Sequence, residues 1–137
     1  MQHHHLPMNM WNTILNYQQQ HQDRQYVYEI LYCGVTFVSS GDVGNRQIVL
    51  QITDEDDNQI IEFPAGSTQA ASLTRYYNFT QGGSHESAFV NSTINIPICD
   101  ELVVQEDFKI VLKDSAAIAA AADDMTIKLV VRRLRRF

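Results

Sequence analysis

Hydrophobic residues recur at every second position through most of the chain. Between Tyr28 and Val38, one parity carries Leu31, Cys33, Val35 and Phe37 and the other Tyr28, Ile30 and Tyr32. A run so rich in aromatic and β-branched residues predicts a strand. From Arg46 to Thr53 the alternation is clean, with Ile48, Leu50 and Ile52 facing one way and Gln47, Gln51 and Thr53 the other. The acidic stretch Asp54 to Asn58 then predicts a turn. Gln59 to Phe63 predicts the returning strand of a hairpin, ended by Pro64-Ala65-Gly66. A further strand is expected where Leu73, Tyr77 and Phe79 alternate with Thr74, Tyr76 and Asn78, and a strand pair across Phe89 to Ile98. Two more follow, around Phe108 to Lys113 and from Met125 to Leu134. Ala116 to Ala122 is helix-prone but only about two turns long.

About eight short strands with little helix between them predict an all-β fold. The expected architecture is an antiparallel β-sandwich, jelly-roll-like or a related Greek key, each sheet having one buried and one wet face. With no internal repeat or linker, residues 26–137 read as one β-sandwich domain with a basic C-terminal tail. Residues 1–25 differ: they hold four of the five histidines and the run Gln18-Gln19-Gln20. Met8, Trp11, Ile14 and Leu15 fall near helical spacing, which predicts a turn or two of helix, too short to stand alone. This segment reads as an extended N-terminal arm, either disordered or ordered by lying on something else.

Composition narrows the class. The chain has 137 residues, 45% hydrophobic and 19% charged, the balance of a single globular domain rather than of a disordered chain or coiled coil. The net charge of -6 argues against a generic nucleic-acid binder. Its distribution is uneven: residues 1–131 carry 6 basic against 16 acidic groups, and four arginines follow in the last six positions. No apolar run approaches the roughly 20 residues of a spanning helix, so no membrane partner is expected. The first residues lack a basic region followed by an apolar stretch, so they do not read as a secretory signal, and synthesis inside the cell is expected.

Candidate chemistry is sparse. Cys33 and Cys99 stand in no metal or redox spacing and read as two buried thiols. His3, His4, His5 and His21 sit on an arm without fixed geometry and read as solvated rather than as metal ligands. The acidic turn lacks the glycine and glutamate of a calcium loop: those positions are Gln59 and Ala65. Ser84-His85-Glu86 puts three catalytic residue types side by side, whereas working triads are assembled from distant segments. No nucleophile elbow, phosphate loop or zinc-protease motif occurs. The Asn78 and Asn91 acceptor patterns read as chance matches without a signal peptide. The expectation is therefore no enzyme, no cofactor and no metal.

Arg132, Arg133, Arg135 and Arg136 form the most distinctive charge feature. Spaced arginines bind phosphates or acidic protein surfaces. A footprint this small favours an acidic protein neighbour over nucleic acid. Trp and Arg are the residues that most often dominate interfaces, so Trp11 and these four arginines are the candidate partner contacts. Tyr26, Tyr28, Tyr32, Tyr76 and Tyr77 exceed what one small core should hold, and the surplus aromatic surface points to a homo-oligomer.

Two blocks carry a resemblance. Val43-Gly44-Asn45-Arg46-Gln47-Ile48-Val49-Leu50-Gln51-Ile52-Thr53-Asp54 is followed by Pro64-Ala65-Gly66-Ser67-Thr68-Gln69-Ala70-Ala71-Ser72-Leu73-Thr74-Arg75-Tyr76-Tyr77. Leu102-Val103-Val104 before Asp107-Phe108-Lys109-Ile110, and Asp123-Asp124 before the last strand, extend the likeness to residues 30–131. Together these resemble a family of small head-region proteins of tailed bacteriophages. The turn Asp54 to Asn58 departs from the family's Gly- and Ser-rich tip, and the arm and arginine tail lie outside the likeness. The resemblance implies a virion protein: a capsid cement (decoration) protein on the exterior of the head, made in the host cytoplasm. Its implied partners are the major capsid protein and further copies of itself, as a dimer or trimer. The alternative is another virion component, such as a head fibre or a tail-associated host-binding adhesin.

Overall fold

The computed structural model describes residues 2–7, 12–13, 26–116 and 122–135. These form ten strands and no helix: β1 (Gln2–Pro7), β2 (Asn12–Thr13), β3 (Tyr26–Val38), β4 (Ile48–Thr53), β5 (Gln59–Pro64), β6 (Thr74–Gln81), β7 (Thr93–Ile98), β8 (Val103–Val104), β9 (Lys109–Asp114) and β10 (Asp124–Arg135). The all-β expectation holds, in two sheets. The first has the order β1-β10-β3-β6-β7, with β8 beside β3, and the second β2-β9-β4-β5.

The two orders match. Each strand of the second sheet is joined in the chain to its counterpart in the first: β1 to β2, β10 to β9, β3 to β4, and β6 to β5. The topology is that of one antiparallel ribbon folded across a crease. Its hydrophobic faces meet in a single cluster. Val35, Phe37, Tyr77, Phe79, Ile94, Ile96, Met125 and Ile127 come from the first sheet, and Ile48, Leu50, Ile52, Ile110 and Leu112 from the second. Fully burying each such side chain contributes roughly 1.5–3 kcal/mol.

Several details depart from the sequence reading. The first sheet is mixed, because β7 pairs with β6 in parallel. The chain leaves β6 through Gly82 at φ +70° and returns along residues 82–92 before entering β7 beside Tyr76. A direct hairpin would have made this pair antiparallel. Phe89 and Val90 belong to that return, so the 89–98 region holds one strand and not two. β8 is a short addition that alternation did not reveal. In the arm, Gln2–Pro7 pairs with β10 and Asn12–Thr13 with β9, so its described backbone forms edge strands. Met8, Trp11, Ile14 and Leu15 lie outside the described residues, as do positions 117–121 of the helix-prone stretch.

β3 explains why both parities of Tyr28 to Val38 are apolar. Opposite it, Val130 pairs with Tyr32 but Val131 with Ile30, which leaves Leu31 as a bulge. The extra residue switches parity, so Tyr28 and Ile30 face the core together with Cys33, Val35 and Phe37. Tyr28 and Tyr77 are therefore core residues, and Tyr76 is the exposed member of the set. β4, flanked by β9 and β5, is buried on both faces, and its Gln51 donates its amide to Gln59 Oε1 at 2.8 Å. Cys33 is buried, but Cys99 is exposed.

Candidate functional site

The end of the first sheet remote from the crease carries the arginines. There β10 runs on to Arg135 opposite Tyr26 of β3, while β6 already stops opposite Tyr32. The freed side of β3 is taken by β8, with Tyr28 paired to Val104 and Glu29 to Val103. Arg133 stacks its guanidinium over the Tyr26 ring, 4.3 Å from the centroid. Arg132 Nη1 lies 3.6 Å from Glu29 Oε1. That carboxylate is fixed from the other side, its Oε2 accepting from Gln81 Nε2 at 3.0 Å. Arg135 is exposed and has no ion-pair partner among the described residues. Arg133 and Arg135 thus share the core-side face of this strand end with Tyr26, whereas Arg132 and Glu29 lie on the opposite face. Trp11 and Arg136 lie outside the described residues.

The crease holds a second constellation, which sequence reading missed. Arg46 and Asp123 are both buried. The guanidinium gives Nε to Asp123 Oδ2 (2.9 Å), Nη2 to Asp123 Oδ1 (3.1 Å) and to Ser40 Oγ (3.2 Å), and Nη1 to the Gly44 carbonyl (2.6 Å). Asp123 Oδ1 also accepts the Ser40 N–H at 2.6 Å. Burial alone would raise the Asp123 carboxyl, but these bonds from Arg46 and Ser40 outweigh it and hold the pKa below the ordinary value.

Beside this pair, Gln69 exchanges backbone bonds with Arg46. Its side chain accepts from the Tyr77 hydroxyl at 2.8 Å and donates to the Phe37 and Leu73 carbonyls. Nearly every polar atom of the network is used internally. It joins the β3–β4, β5–β6 and β9–β10 connections and acts as a pin for the fold rather than as a place for a substrate. The legible signal was an arginine at the head of an alternating apolar run.

The other sequence candidates take structural places. Asp54 caps its own turn: Oδ1 accepts the N–H groups of Asp56 and Asn58, both at 2.9 Å, and Oδ2 accepts Asn58 Nδ2 at 3.0 Å. The Glu86 carboxylate accepts the Asn95 N–H at 2.7 Å, which anchors the return loop to β7. Among the described residues, no group of three or more His, Cys, Asp or Glu is placed to hold a metal ion. No helix among them is long and apolar enough to cross a membrane.

The chain matches no protein-family model, no curated protein and no solved structure.

Proposed function

We propose that the chain is a capsid cement protein of a tailed bacteriophage: a jelly-roll-like β-sandwich, present as a dimer or trimer, that binds the major capsid protein on the outside of the head. The observation that carries this reading is where the family-like residues go. Arg46, Gln69 and Asp123 belong to three separate blocks of the resemblance, and all three meet in the crease network. The likeness therefore concerns the residues that define this fold. The nested pairs β3·β10 and β4·β9 support the rolled, sandwich-like architecture, with the β4–β5 hairpin and the parallel β7 as its particular features.

The cement role follows by analogy with the family and from the physics of binding. A protein that binds only the assembled shell stabilises that shell by mass action. Trp11 and the arginines Arg132, Arg133, Arg135 and Arg136 are its proposed contacts with neighbouring subunits. The test is the heat resistance of purified heads with and without the protein. Heads lacking it should break at lower temperature, and adding it back should restore resistance. Equal resistance in both preparations would refute the role.

One observation favours a second reading, a host-binding adhesin. On the outer face of the first sheet, the Tyr32 hydroxyl donates to Asn78 Oδ1 at 2.7 Å, and Asn78 Nδ2 donates to Asn95 Oδ1 at 3.2 Å. Tyr76 is exposed on the same face. Rings with a polar handle beside oriented amides suit a sugar surface. Binding of the isolated protein to host cells, abolished by Tyr76→Ala, would establish this reading over the first.

A further inference from the structure

The arginine end and the acidic hairpin tip lie at the same pole of the molecule. β8 flanks β3 at Tyr28 and Glu29, and only residues 105–108 separate it from β9, whose first residue, Lys109, pairs with Thr53 next to the tip. Such a short link holds Val104 and Lys109 within about 20 Å, since five residues span at most roughly 3.5 Å each.

Their charges are opposite and only partly spent. In the tip, the Asp54 carboxylate caps the turn and that of Asp57 pairs with Lys109 at 2.7 Å. The Glu55 and Asp56 carboxylates are exposed, without a side-chain partner among the described residues. At the arginine end Arg132 pairs with Glu29, while Arg133, stacked on Tyr26, and Arg135 are exposed with no carboxylate partner among the described residues. Apolar side chains flank both features: Ile60 is half exposed beside the tip, and Val103 is exposed on β8.

A surface with an acidic and a basic patch side by side is self-complementary under a two-fold rotation, because each patch then meets the other's opposite twice. We propose that two copies of this chain associate through this pole, the β4–β5 tip of each seated against the arginine end of β10 of the other. The proposal deepens the homo-oligomeric virion reading by naming the neighbour that the arginines contact.

Sedimentation of the full chain tests it, together with two charge-reversal variants, Glu55→Lys/Asp56→Lys and Arg133→Glu/Arg135→Glu. These substitutions are on exposed side chains, and circular dichroism checks that each variant folds. The wild-type should dimerise at about 50 mM salt, and its Kd should rise by at least about tenfold by 0.5 M as the charges are screened. Each variant alone should be monomeric, and an equimolar mixture should regain a dimer, since every contact is again between opposite charges. A monomeric wild-type, a dimer indifferent to salt, or a mixture that stays monomeric would overturn the proposal. The outcome is separable from the cement reading. A monomer that still fills purified heads removes only the dimer, and a dimer that ignores heads removes only the cement role.

Discussion

Arg46 and Asp123 meet in a two-pronged buried ion pair across 77 residues of chain, Nε to Oδ2 at 2.9 Å and Nη2 to Oδ1 at 3.1 Å. Removing one partner leaves the other charged in a place water does not reach. Asp123→Asn or Arg46→Met should each cost about 3–5 kcal/mol in urea unfolding, whereas replacing both residues by apolar ones should cost less than either single change. Additive losses in the double variant would show that the two residues act independently.

The same pair sets an acid limb. The folded Asp123 carboxyl titrates below its unfolded value of about 3.9, so its contribution is complete above that pH and is lost as pH falls through the folded value. The stability gap between wild-type and Asp123→Asn should therefore stay flat above about pH 5 and shrink below about pH 4. Unfolding curves at a series of pH values measure it. A gap that keeps its full size down to about pH 2 would contradict the assignment.

Much of this was legible in the alternation, which marked seven of the eight strands between Tyr26 and Arg135 because half-buried sheets repeat every second residue. The rest depends on partners that a local pattern does not contain. The bulge at Leu31 made both parities of β3 apolar, which reads as ambiguity until β10 is alongside. Parallel and antiparallel pairing leave the same alternation in β7. Arg46 looked like an ordinary polar residue at a strand's start, because its burial depends on an aspartate far along the chain. The arginine tail was visible from charge alone, but its stacking on Tyr26 was not.

The two thiols should differ sharply. Burial pushes the Cys33 thiol up to about 12, while Cys99 is exposed. A thiolate-specific reagent at neutral pH should modify one cysteine at once and the second only when the chain unfolds. Immediate modification of both, or modification of Cys33 first, would place Cys33 outside the core.

Gly66 should tolerate no side chain. A Cβ there would run into the Glu86 carbonyl oxygen and the His85 ring, which belong to the return loop between β6 and β7. Gly66→Ala should destabilise by about 1–3 kcal/mol through forced displacement of backbone. At Gly82 a Cβ meets nothing, and the cost of alanine is only that of φ +70°, about 1–2 kcal/mol. Thermal melts of both variants, with hydrogen exchange along residues 82–92, should show the loop loosened by the Gly66 change.

The proposed place of this chain on the head of a tailed phage is tested most directly by quantitative mass spectrometry of purified particles. A cement protein should be present in a number of copies of the same order as the major capsid protein, and should be lost from particles when residues 132–137 are deleted and salt is raised. A few copies per particle, or none, would contradict the proposal.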